Sequence, residues 1–79
     1  MIPHLIAPEI EELVVRRDVA TLKDVMEELS DVDLAALVTE LSPQSRVLVF
    51  RILPRDVASA TFAYCDFDTQ QRLLHDLAR

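Results

Sequence analysis

The chain has 79 residues, 51% of them hydrophobic, with 14 acidic against 8 basic side chains and a formal charge of −6. A chain of this length carries one modest core, and its acidity opposes nucleic acid and anionic lipid, which repel a protein of this sign. No apolar run approaches a membrane span of about 20 residues, no glycine is present for a phosphate loop or tight hairpin, and one cysteine excludes an internal disulfide.

The opening stretch, Met1 to Ala7, is apolar but short, with no basic residue before it, which argues against a secretory signal. A first helix is expected over 8–16, opened by Pro8 and carrying Glu9, Glu11 and Glu12 where the macrodipole favours acids. Further helices are expected over 19–28, 31–40, 43–52, 54–64 and 67–78. Their spacing is a repeat of twelve residues: Leu29-Ser30, Leu41-Ser42, Leu53-Pro54 and Cys65-Asp66, with Arg17-Asp18 one step back and Leu77 one step on. The second position reads Asp18, Ser30, Ser42, Pro54, Asp66, four of which are good helix N-caps. The tenth reads Met26, Val38, Phe50, Phe62, Leu74, all large and apolar, and is expected to form a buried stripe.

Each unit is about two helical turns and a tight turn, too short to be stable alone. The expected fold is therefore all-α, a solenoid-like, right-handed superhelical stack of five to six short helices in a single domain over 1–79. An ordinary compact bundle with a coincidental repeat is the alternative. At the ends, Ile2 to Ile6 and the apolar residues Phe67, Leu73, Leu74 and Leu77 lack an obvious cover. Self-association through the carboxy-terminal helix is expected from them.

Few residues suggest chemistry. His4, Cys65 and His75 are the soft metal-ligand or nucleophile candidates, and they lack zinc-site spacing. Cys65 falls where the repeat otherwise places leucine, so it reads as a small core residue. Glu27, Glu28, Asp31 and Asp33 cluster near a helix boundary, as helix-start and solvated acids do, without an EF-hand pattern. Phe50 and Phe62 read as core, and Tyr64 as a surface residue. The chain reads as non-enzymatic, with no cofactor.

From Leu22 to Leu77 the order of motifs is Asp33-Leu34-Ala35, then Glu40-Leu41-Ser42-Pro43, then Arg46 through Leu53-Pro54, then Ala58 to Phe62. This order resembles the cytosolic amino-terminal domain of the MgtE magnesium transporter family. Flagellar rotor proteins of the FliG type have similar short-helix repeats, but their His-Pro-Gln and Glu-His segments are missing here. The resemblance implies a cytoplasmic regulatory domain, at the cytosolic face of the inner membrane. Its partners would be the nucleotide-binding-type CBS domains and the membrane domain of a parent transporter, and Mg2+ would act in that full-length setting. On this reading the chain is a truncated piece or a stand-alone relative. Family members often carry a magnesium-binding glutamate in the helix after Leu-Pro. The matching position here is Ala60, with Asp56 one turn earlier as a weak substitute, and no nucleic-acid binding or membrane insertion is implied. The alternative function is a protein-interaction repeat module, a rotor or scaffold element without ion sensitivity.

Overall fold

A computed structural model describes the backbone of residues 3–78 and the side chains of residues 6–78. Those residues form helices and short linkers, with no strand among them: α1 (Pro3–Arg16), α2 (Val19–Glu27), α3 (Asp31–Glu40), α4 (Pro43–Ile52), α5 (Arg55–Tyr64) and α6 (Phe67–Leu77). Five of the six follow the expected spans to within a residue at each end. The exception is α1, which begins at Pro3 rather than Pro8 and keeps Pro8 inside it. A proline there removes one intrahelical hydrogen bond. Burial of Ala7, Ile10 and Val14 along one face offsets that loss and keeps the helix continuous.

The twelve-residue repeat is a capping device. At Leu41-Ser42, Leu53-Pro54 and Cys65-Asp66 the linker is two residues, both with negative φ and ψ between 142° and 165°. The extended first residue turns its side chain inward, and Leu41, Leu53 and Cys65 are all buried. The second residue starts the next helix. Asp18 accepts from the N–H of Thr21 at 3.2 Å, Ser30 from Asp33 at 3.1 Å, Ser42 from Ser45 at 3.3 Å and Asp66 from Thr69 at 2.8 Å. Each satisfies one of the free amides at a helix start. Pro54 has no such oxygen, so α5 begins without a side-chain cap.

Helices two apart in sequence pack together: α1 on α3 and α3 on α5, with α2 on α4 and α4 on α6. Helix α1 also crosses α2 and α4. Ile10, Leu22, Leu34, Leu37, Val38, Val49 and Leu73 are all but sealed from solvent within one continuous core. Extents of 27 × 26 × 22 Å make this a near-isometric block.

The tenth-position stripe holds at Met26, Val38 and Phe50, which are buried, and loosens toward the end of the chain. Phe62 is half-buried against the core and Leu74 is 54% exposed. The physical reason is position: α6 packs on α4, and at its own ninth position Leu73, fully buried, makes that contact instead. This also corrects the apolar face expected of the last helix. Leu73 belongs to the core and Leu77 packs against it, leaving Phe67 and Leu74 as the exposed pair. At the other end Ile6 packs on the core, while the remainder of the Ile2 to Ile6 side chains fall outside the described residues.

Candidate functional site

Two polar regions stand out, one turned inward and one outward. The inward one is where α1, α3 and α4 meet. Glu11 was expected among the acids at the start of its own helix. With α1 beginning at Pro3, it lies mid-helix and serves the start of α4 instead. Its Oε2 accepts from the backbone N–H of Ser42 at 2.6 Å, and its Oε1 accepts from the Ser42 hydroxyl at 3.0 Å and from the Ser45 hydroxyl. A carboxylate at a helix amino terminus also gains from the dipole. Partial burial pushes the Glu11 carboxyl upward. Hydrogen bonds from Ser45 and Ser42 and the charge of Arg46 outweigh this and hold it below its ordinary value.

Arg46, in the second turn of α4, is 5% exposed. Its Nε donates to the carbonyl of Val38 at 2.9 Å, and its Nη2 to Leu41 at 2.9 Å and Thr39 at 3.4 Å. These carbonyls lie at the end of α3, where that of Val38 also accepts from the N–H of Leu41 at 3.2 Å, so the guanidinium caps one helix while Glu11 caps the next. Its Nη1 is buried without a protein acceptor. The role of this junction was missed in the sequence, although a signal was there. The sixth repeat position reads Leu22, Leu34, Arg46, Ala58, Gln70, and a charge in that series marks an inward-facing polar contact. Gln70 acts alike, donating to the Phe62 carbonyl at 2.9 Å.

The soft candidates do not converge. Cys65 is buried, and burial, with the Asp66 charge adding and Arg46 opposing, pushes its thiol up and away from the reactive thiolate. His75 is exposed, and the side chain of His4 lies outside the described residues. Tyr64 is exposed, as expected.

The outward region is acidic. Asp31 and Asp33 occupy the first turn of α3 and Asp56 that of α5. Glu27 and Asp31 line a cleft of about 440 Å³ whose other wall is Leu53, Pro54 and Val57, with Lys23 also at its edge. Asp56 is exposed one residue from that wall, and Ala60 is half-buried. Among the described residues no three His, Cys, Asp or Glu side chains come together as a metal site. A hard cation takes at least six oxygens, a set these carboxylates do not gather. No described helix is long and apolar enough to cross a membrane.

Residues 29–79 match the family model described as the MgtE intracellular N domain. The match opens at Leu29, the first position of a repeat unit, and covers well over half of the chain. Neither the curated proteins nor the solved structures contain a match. With the family model spanning α3 to α6 and the capped repeat that organises them, the chain belongs to the family of amino-terminal domains of MgtE magnesium transporters.

Proposed function

We propose that the domain is a non-catalytic, cytosolic regulatory arm of a magnesium transporter, controlling gating through Mg2+-dependent association with neighbouring CBS domains. The family match carries this reading. A net charge of −6 supports it, because two acidic surfaces approach only with counter-charge between them. On this reading Glu27 and Asp31 at the cleft, with Asp56 exposed one residue from its wall, are the acids a divalent ion would bridge to a partner, which supplies the remaining ligands. At low magnesium the uncompensated acids separate, and the transporter's membrane domain is released to open. The right-handed winding of the helix stack belongs to the same reading.

The test is a magnesium titration of the chain mixed with the CBS pair of its transporter, followed by sedimentation. Association that grows with magnesium and reverses with EDTA is the expected result. Association indifferent to magnesium would instead favour a plain interaction module of the rotor or scaffold kind. The chain alone is expected to bind magnesium weakly, in the millimolar range, and calorimetry showing tight saturable binding would contradict the shared-ligand account. Self-association through the last helix, on this reading, runs through Phe67 and Leu74. Polar replacements at both should favour monomer in sedimentation, and an unchanged distribution would exclude that face.

A further inference from the structure

A second cleft, apart from the acidic one, opens where the corner between α1 and α2 meets α4. Its floor is apolar, with Val19, Val47 and Leu48 half-buried along it. Its charged residues are Arg17, Arg51 and Asp76. Two cations to one anion reverses the balance of the chain, which has 8 basic side chains to 14 acidic ones. Arg16 and Arg72 are each paired with a carboxylate one turn away, at 3.1 and 3.0 Å. Arg17 and Arg51 are exposed and make no such pair among the described residues.

Arg17 carries a second, independent observation. Its φ of 58° is the one positive value among the described residues. Its N–H donates to the Val14 carbonyl at 3.1 Å and that of Asp18 to Leu13 at 3.0 Å, the paired bonds that close a helix in a left-handed residue. Glycine is the usual occupant, because a Cβ is disfavoured there. Here the position carries an arginine, and its side chain stands at the rim of the apolar cleft.

From the apolar floor and the reversed charge at its rim we infer that this cleft docks an acidic amphipathic segment of a partner protein. Apolar side chains of that segment lie on Val19, Val47 and Leu48, and its carboxylates meet Arg17 and Arg51, as an amphipathic helix lies in a groove. This goes beyond the regulatory reading, since here the protein itself supplies the positive charge and no ion is needed. Rim charges of this kind act mainly on encounter and selectivity.

The experiment pans a library of short random peptides against the full chain and against the double variant Arg17→Gly, Arg51→Gln. Glycine suits the left-handed position, so the corner keeps its fold. Selected peptides are expected to carry Asp or Glu beside apolar residues at helical spacing. They should bind the double variant about tenfold more weakly, weaken with added salt, and be indifferent to EDTA. In methyl NMR they should shift Val19, Val47 and Leu48. The proposal fails if no peptide is selected, if the selected ones lack acids, if both proteins bind alike, or if the shifts fall on Leu74 instead. A dimer of the parent that dissociates in the variant would make the occupant a second copy, and overturns it too. Persistence in EDTA separates this test from the magnesium titration, so either reading can fail alone.

Discussion

The junction of α3 with α4 and that of α5 with α6 lie two repeats apart and use the same position for the same purpose. Arg46 reaches back eight residues to the Val38 carbonyl, and Gln70 reaches back eight residues to Phe62, both at 2.9 Å. There the likeness ends. Arg46 is buried, charged and bonded to three carbonyls, while Gln70 is neutral, half-buried and bonded to one. The difference follows from α1, which packs on α3 and α4 and so closes the first junction. A buried guanidinium is costly unless its donors are paired and its charge is answered. The three carbonyls meet most of the first need, and for the second Glu11 on α1 feels the guanidinium charge at a distance, without an ion pair between them. Among the described residues the distal junction has no covering helix comparable to α1, and a neutral amide suffices.

The contrast between a closed centre and a looser end can be broken most forcefully in the core. Phe50 and Phe62 share a repeat position one unit apart, one buried and one half-buried. Phe50→Ala should remove roughly 3–5 kcal/mol, a large part of the about 4–12 kcal/mol expected of so short a chain. Phe62→Ala should lose about half as much, in proportion to the area it covers. Urea unfolding of the two variants decides it. Equal losses would mean that the distal half is packed as tightly as the centre.

The next effect in size compares the two junction residues directly. Arg46→Ala removes the side-chain donor from the carbonyls ending α3, of which Val38 keeps only the N–H of Leu41, and should cost about 2–4 kcal/mol. Gln70→Ala removes one half-buried hydrogen bond, worth about 1 kcal/mol. Arg46→Gln asks whether the distal solution works at the centre, and should recover only part of the loss, because a single amide cannot serve three acceptors or answer Glu11. Thermal unfolding should rank them Gln70→Ala, Arg46→Gln, Arg46→Ala in increasing damage. Full rescue by glutamine would show that the charge at the centre is incidental.

How much of this was legible in the sequence depends on whether a signal was local. The helix spans and four of the five caps could be read because an N-cap and the amide it binds lie three residues apart, as at Ser30 and Asp33. The start of α1 could not. Pro8 is a local start signal, and what overrides it is burial of Ala7, Ile10 and Val14 against distant helices. Glu11 shows the same limit more sharply. Its partners Ser42 and Ser45 are 31 and 34 residues away, so nothing nearby distinguishes it from Glu9 or Glu12. Leu73 and Leu74 were alike on paper as well, and only the docking of α6 on α4 assigns one to the core and the other to solvent.

The smallest effect tests whether Glu11 answers the central charge. Its carboxyl titrates below its ordinary value of 4.5 in the folded chain, so above that value it is ionised in both states and its contribution is complete. As the pH falls below 4.5 the unfolded chain takes up the proton first, and the contribution drains away until the folded carboxyl is protonated too. Asp18 and Asp66, depressed by their hydrogen bonds to Thr21 and Thr69, act in the same direction below 3.8. Glu11→Gln should therefore cost only about 1 kcal/mol at neutral pH, since solvent still reaches the carboxylate and screens it. The gap between variant and parent should narrow as acid is added through that window, while the slope owed to the two aspartates persists in both. A gap that stayed constant across the titration would mean that Glu11 acts through shape and neutral hydrogen bonds, leaving Arg46 without its counter-charge and the two junctions alike in kind.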